Sequence, residues 1–281
     1  IDTSQITSNL VDHSNYFLLY PSLHLQYDLK EGQKRRLSYS HRLTRPRGED
    51  LNPFVTYDEF EAYAGNPRLK PQDSHALEAG WEYQKGGRSI LATLYMRRNY
   101  NGFTYISTVL SPTVLLITPA NLGKSTSGGL DLATTGKLGE ALSYSLSGNV
   151  SYSRFDTSGL ALAGRRSAIG YNARSRIDYR ITYDDMVQLT VNYTGRRLMA
   201  QGYMSPSSSL NLGYQHKIRQ DLILVATVSD LFRSGKSETV LEGPLFRDVA
   251  AQQPLGRTVS VSITKQLGGR PVQEGQFEYV R

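Results

Sequence analysis

Five histidines, His13, His24, His41, His75 and His216, are the side chains of this sequence best suited to proton transfer or metal ligation near neutral pH. Metal-binding histidines commonly recur at short fixed spacings, and these five fall on separate segments with no such spacing. His24 and His41 also lie on opposite parities of their alternating segments, so they do not share a face. Serines and aspartates are plentiful, but a nucleophilic triad is a matter of geometry rather than abundance. The sequence has no phosphate-cradling glycine loop and no dinucleotide fingerprint. Zero cysteines excludes thiol chemistry, disulfides and thiolate metal sites. On these grounds no enzyme, no metal and no cofactor is predicted, and the histidines read as surface or lumen polar groups.

A second group is more informative. Arg174, Arg176, Asp178 and Arg180 occupy alternate positions, and Arg196 follows on the next segment. Guanidinium forks match carboxylates and phosphates. What they do depends on the element that presents them.

That element is a strand. Ile169, Tyr171, Ala173, Ser175, Ile177, Tyr179 and Ile181 fall on one parity, and the arginines share the other with Gly170, Asn172 and Asp178. After Thr182-Tyr183-Asp184-Asp185, the alternation resumes with Val187, Leu189, Val191 and Tyr193 against Gln188, Thr190, Asn192 and Thr194. The pair reads as a hairpin of strands about a dozen residues long. Globular strands average about 5 to 6 residues, whereas a tilted membrane-crossing strand needs about 9 to 11. Length therefore favours a transmembrane barrel, with the arginines on the lumen side.

Composition agrees. Hydrophobic content is 39% and no run of 18 apolar residues occurs, which excludes helical spans but not a barrel, where every second residue meets lipid. Nineteen tyrosines and 25 glycines suit strands, turns and interfacial girdles. The net charge of +7 is dispersed rather than gathered beside stacking aromatics, which argues against nucleic acid and for a lumen or for loops meeting lipopolysaccharide phosphates.

In chain order, 1–15 reads as a polar loop. Strands are predicted around Leu23–Leu29, Leu37–Leu43, Leu77–Tyr83 and Ser89–Arg98, then near Leu130, over Leu142–Tyr152 and in the two halves of the hairpin above. Leu210–Tyr214, Leu222–Phe232 and Val259–Ile263 complete the set. Residues 99–124 could be a hairpin rising above the barrel or a folded loop. Short turns near 30–33, 85–87, 137–140, 182–185 and 218–221 alternate with long connections near 45–74, 99–124, 156–166, 199–206 and 234–256. Outer-membrane barrels show this division between periplasmic turns and extracellular loops, and a soluble sandwich has no reason to. The count is about eleven strands, yet single-chain barrels have an even number. With no initiator methionine and no signal peptide the chain is expected to be a processed product or a fragment, and the odd count makes it the C-terminal part of a larger barrel, entering from outside and ending in the periplasm. Residues 1–267 are assigned to the wall and 268–281 to a periplasmic tail.

The order of features at 38–83 resembles the C-terminal barrel of TonB-dependent outer-membrane receptors, in the outer-membrane β-barrel family. The matching residues are Ser38-Tyr39-Ser40, Arg45-Pro46, Leu51-Asn52-Pro53-Phe54, Gly65-Asn66-Pro67, Leu69 and Pro71. Tyr20-Pro21-Ser22-Leu23, the segment Asn121 to Leu130 and Asp230-Leu231-Phe232 extend the match over most of the chain. Two features depart from it: Gln72 stands where the family usually has an acid, and a polar tail ends at Arg281, with Phe277 and Tyr279 nearby, in place of a terminal aromatic.

The resemblance implies an all-β, antiparallel transmembrane barrel of about 22 strands, of which this chain supplies the second half. It further implies residence in the outer membrane of a Gram-negative bacterium, an N-terminal plug domain, the TonB energy-coupling complex as a partner, and uptake of a scarce bulky solute such as a siderophore, cobalamin, a saccharide or a peptide. Arg174, Arg176, Asp178, Arg180 and Arg196 are then candidates for contact with plug or ligand. Pairing with Asp178, Glu78, Glu82 or the plug is favoured over direct solute contact. Arg47, Tyr57, Tyr63 and Arg68 are candidates on an extracellular loop. The competing reading is a self-contained barrel of about twelve strands, either an autotransporter translocation unit or an outer-membrane hydrolase. The first should show a pore-threading helix before its first strand and the second a clustered Ser, His and acid.

Overall fold

The computed structural model describes residues 2–5, 10–13, 19–160, 164–253 and 256–267. β1 (Asp2–Gln5) and β2 (Leu10–His13) form a separate antiparallel pair, so the first fifteen residues contain a small hairpin where a loop was expected. Four-residue strands as polar as Asp-Thr-Ser-Gln carry too short an alternation to be read.

The wall opens with β3 (Ser22–Lys30) and β4 (Gln33–Thr44). The following connection holds the single-turn helix α1 (Gly48–Leu51), β5 (Thr56–Tyr57) and β6 (Glu61–Tyr63). β7 (Gln72–Lys85), β8 (Arg88–Ser111), β9 (Val114–Leu138), β10 (Leu142–Asp156), β11 (Arg165–Arg180) and β12 (Asp185–Thr194) continue the wall. A small hairpin, β13 (Arg197–Met199) and β14 (Gly202–Met204), precedes β15 (Ser207–Arg219) and β16 (Leu222–Ser229). A second hairpin, β17 (Ser237–Glu242) and β18 (Arg247–Gln252), precedes β19 (Thr258–Lys265).

The wall runs β19-β16-β15-β12-β11-β10-β9-β8-β7-β4-β3. Two of the thirteen strands in this sheet, β5 and β6, lie off that path, which leaves eleven in the wall. The alternation seen in the sequence sets the register: Ile177 faces Leu189 on one side and Tyr144 on the other, while Arg176 lies between Thr190 and Ser145. Among the described residues β3 and β19 have no second neighbour, and the sheet stays open.

Segment 99–124 is the tall hairpin. β8 and β9 have 24 and 25 residues and stay paired through Phe103 with Asn121 and Val109 with Leu115. At about 3.3 Å per residue each is about 80 Å long, against an apolar band about 25 Å high, so more than half of the hairpin stands beyond the membrane.

Burial is inverted relative to a soluble protein. The largest fully buried side chains include Gln188 and Gln215, both 1% exposed, while Leu25 is 53% and Val261 68% exposed. Tyr179 is exposed and Ile177, Leu189 and Val191 are half-buried, so the apolar parity forms an outer belt rather than a sealed core. Buried apolar residues such as Ala62, Leu69, Leu122, Ala200 and Val240 sit in the loops and the upper hairpin. Stacked Trp81 and Tyr83 edge the belt toward the short turns, and stacked Tyr171 and Tyr193 edge it toward the long loops.

Trp81 is the single tryptophan and lies on the belt. In vesicles its fluorescence is expected to be quenched by lipids brominated on the acyl chains and spared by aqueous iodide; the opposite pattern would place the apolar face inside. Leu132→Arg, at the exposed middle of the belt, is expected to lower unfolding stability in bilayers by about 2–4 kcal/mol. The check is urea titration of the Trp81 signal.

Candidate functional site

The concave face presents the charged residues of β11. Arg176 Nε donates to both carboxylate oxygens of Asp178, at 3.2 and 3.1 Å, and Gln188 Nε2 donates to the same carboxylate. Asp178 is thus held by two groups, and one edge of the Arg176 fork is already engaged. Arg174 is exposed on the same face, between Asn192 and Ser147. Arg180 follows at the short-turn end, its backbone N–H bonded to Ala141 O. These four side chains come together because alternate positions on a strand share a face. Arg196 lies elsewhere: it falls past the end of β12, with its guanidinium 3.6 Å from the ring centre of Tyr203 on the β13–β14 hairpin. Glu78 and Glu82 are engaged by Arg97 and Arg36, at 3.2 and 2.7 Å, and not by the β11 arginines.

A second network crosses β8, β9 and β10. Arg97 covers the Tyr95 ring at 5.1 Å, and Tyr95 Oη accepts from Asn149 Nδ2 at 3.1 Å. Asn149 also donates to Asp131 Oδ1 at 2.7 Å. Tyr95 lies flat because Gly129 has no side chain; a Cβ there would come within 2.8 Å of Tyr95 Oη and 2.4 Å of Val150 O.

The extracellular candidates divide. Tyr57 and the Arg68 side chain are exposed, and Arg47 is exposed with an ion pair to Glu49 at 3.0 Å. Tyr63 has a structural task. Its hydroxyl and that of Tyr105 both donate to Asp50 Oδ1, at 2.9 and 3.0 Å, tying α1 and β6 to the tall hairpin. Burial and then the Asp50 carboxylate push both phenols above the ordinary tyrosine range.

The residues that carried the family resemblance act on the same connection. β6 runs parallel to β9, with Ala62 opposite Leu116. Asn66 Nδ2 donates to Pro119 O at 3.2 Å, and Asn121 both accepts from Lys70 N at 2.8 Å and donates to Lys70 O at 2.9 Å. Gly65 permits close approach, since a Cβ would lie 2.4 Å from Asn52 O. Gln72 accepts from Phe103 N at 3.3 Å, a bond that the acid usual in the family would also accept. Asp230 caps the turn after β16 by accepting from Ser234 N at 2.9 Å and Gly235 N at 3.1 Å.

One cluster was hidden in the sequence. The β4–β7 register sets His41 opposite His75, with Asp73 two positions away on the same face. His41 Nε2 is 2.6 Å and His75 Nε2 3.6 Å from Asp73 Oδ1, and Tyr39 Oη is 2.9 Å from His75 Nδ1. Spacing along the chain shows no ligand pattern because the pattern lies across a strand pair joined by a long loop. Matching the belts, Tyr39 level with Leu77, would have revealed it. His216 bonds Asp185 at 2.8 Å at the opposite rim. Among the described residues none of these three histidines is bonded to a serine hydroxyl.

With this geometry in view, the comparison that decides the family is the match of residues 1–264 to the outer membrane protein beta-barrel family. The chain belongs to that family. Its wall is similar to the ferric yersiniabactin uptake receptor FyuA from Yersinia pestis, at 19% identity and TM-score 0.68, covering 94% of this chain and 40% of that one. It is similar to the siderophore receptor PirA from Pseudomonas aeruginosa, at 18% identity and TM-score 0.63, with 88% and 41% covered. It is also similar to the copper transporter OprC, at 12% identity and TM-score 0.65, with 88% and 39% covered. Comparison with curated proteins returns no match. The chain spans about two fifths of the length of these receptors and corresponds to the C-terminal portion of their barrels. As a member of the family it resides in the Gram-negative outer membrane.

Asp50→Ala leaves the Tyr63 and Tyr105 hydroxyls without their shared acceptor. It is expected to destabilise the loop locally by roughly 1 to 3 kcal/mol, read as faster proteolysis between residues 45 and 71 with the wall intact. Because both phenols are raised in the folded state, the clamp contributes fully below the ordinary tyrosine value of about 10 and is lost progressively as pH rises from there through the raised values. Protease protection in the native protein should therefore persist at pH about 10 and fall in stronger alkali.

Proposed function

We propose that this chain forms the C-terminal part of the barrel of a TonB-dependent receptor that imports a scarce, bulky solute. The observation that carries the reading is the open wall: eleven strands with a polar concave face and two unpaired edges, β3 and β19, among the described residues. A sheet in hydrocarbon has to close, and eleven strands are half of the roughly 22 found in outer-membrane transporters. A plug domain in the lumen and the TonB complex follow from the same reading, with lipid and lipopolysaccharide around the wall. The solute belongs to the siderophore, cobalamin, saccharide or peptide class. The siderophore receptors among the similar structures favour the first. The tail, 268–281, outside the described residues, is assigned to the periplasm by the alternation of short turns and long loops. No covalent step is involved.

In this reading Arg174, Arg176 and Arg180 hold carboxylates of the plug, since Arg176 already pairs with Asp178 in the manner of a wall network. Arg47, Tyr57 and Arg68 face the arriving solute, and Arg196 steadies the β13–β14 hairpin.

The test expresses the full-length protein in a Gram-negative host, with and without the TonB coupling protein, and measures accumulation of iron-55 ferric siderophores, labelled cobalamin, oligosaccharides and peptides. Accumulation of one probe should fall to background when coupling is lost. Equal accumulation of every probe in both hosts sinks the proposal. Arg174→Ala/Arg176→Ala/Arg180→Ala should leave solute binding to cells intact and raise leakage of large antibiotics through a loosened plug. Loss of binding with no leakage would assign these arginines to the solute instead.

A further inference from the structure

The His41, Asp73 and His75 cluster stands apart from both the lumen network and the loop clamps. Tyr39, His41 and Leu43 lie on the outward parity of β4, so the cluster faces away from the lumen, at the long-loop end of the belt. The two imidazole rings stack with centroids 4.2 Å apart and planes 13° apart. One ligand atom from each of the three residues lies within 4.8 Å of the others, a grouping with no second example among the described residues.

We propose that His41, Asp73 and His75 form a binding site for a divalent transition-metal ion of the zinc class, on the outer face of the wall at the root of the 45–71 connection. Two imidazole nitrogens and one carboxylate oxygen are a donor set that zinc accepts with a fourth position open. Ligand atoms about 2.1 Å from a tetrahedral ion lie about 3.4 Å apart. The 3.6 Å between His75 Nε2 and Asp73 Oδ1 already has that span, and the 2.6 Å hydrogen bond of His41 needs to open by less than an ångström. The stacked rings, 13° apart, have to splay by side-chain rotation so that both lone pairs converge on one ion, while register fixes the backbones.

The surrounding groups favour ligation. When His75 Nδ1–H donates to Tyr39 Oη, 2.9 Å away, the Nε2 lone pair is directed toward the carboxylate, the usual way an outer partner sets a ligating tautomer. The Tyr20 ring packs on His41 at 5.1 Å and the Tyr100 ring meets His75 edge-on at 6.2 Å, so aromatic rings wall the site on two sides. The cation nearest in register, Arg98 opposite His75, lines a recess with Lys124 and Arg154 on the side away from β7. Side-chain exposures of 14%, 26% and 36% for His41, Asp73 and His75 leave the site open to ions from outside. A bound ion would clip β4 to β7 where the loop bearing Asp50 and Asn66 leaves the wall. The site stands whether or not the transport reading does.

The test uses the full-length protein in detergent, stripped with a chelator and titrated with Zn2+ alone by calorimetry, with Co2+ absorption reporting the coordination. Native protein should bind one equivalent that is weakened at least about tenfold in His75→Ala and in Asp73→Asn, and about tenfold in Tyr39→Phe, which touches only the outer partner. His24→Ala, on the concave face, should bind as the native protein does. Heat-modifiable electrophoretic mobility establishes that each variant is folded, and Asp73→Asn preserves shape if His75→Ala does not fold. Absence of saturable binding, or binding equal in native protein and the Asp73 and His75 variants, overturns the proposal.

Discussion

Hydrocarbon offers no partner to a backbone N–H or C=O, and this one deprivation organises the molecule. Each wall strand must satisfy its main chain on both sides, so the strands pair in sequence order at full length, from β3 to β16 and on to β19. The same constraint makes the side-chain pattern strict. With the backbone held in a pleat, each residue faces either lipid or lumen, and a slip of one position would move every side chain to the wrong solvent. The apolar parity therefore points outward, and Gln188 and Gln215 can be the most buried large side chains without contradiction.

Once the wall is fixed, the charged residues on its concave side are held at set heights and intervals. Arg176 and Asp178 meet because alternate positions of one strand share a face, whereas Glu78 with Arg97 across a strand pair, and Tyr95 lying over Gly129 toward Asn149, depend on register. Above the membrane the requirement changes. There water can satisfy the backbone, yet the loops remain built: the tall hairpin serves as a mast, to which Asn66, Asn121 and the Tyr63–Asp50–Tyr105 bonds attach one loop. Gln201 attaches another through both backbone groups of Ser107, each at 2.8 Å. Surfaces that capture a solute need such bracing, since a loop that must first be ordered loses affinity to that ordering.

The residues that mark the family likeness are mostly these braces. Asn66, Gly65 and Asn121 bond or closely approach backbone, and Asp230 caps a turn. They describe how the barrel is held together, and similar walls are found in siderophore receptors and a copper transporter alike. Exposed loop side chains such as Tyr57 and Arg68 are not among these braces, and the shared fold leaves their types open.

Wall strands, short turns and the facing of Arg174, Arg176, Asp178 and Arg180 were determined by the sequence alone, because period-two alternation is a local consequence of the pleat and needs only one strand to be read. The tall hairpin was legible only as one of two options, since strands standing in water on both faces lose the contrast that membrane strands carry. The short hairpins at 2–13, 197–204 and 237–252 gave too few residues for any period to show. Tertiary structure alone decided that Tyr63 braces its loop through Asp50, that Arg196 leaves the lumen for Tyr203, and that His41 meets His75. The reason is common to all three: these contacts join residues across strand pairs or loops, and the distance between such residues is set by register and docking, neither of which is written in their spacing along the chain.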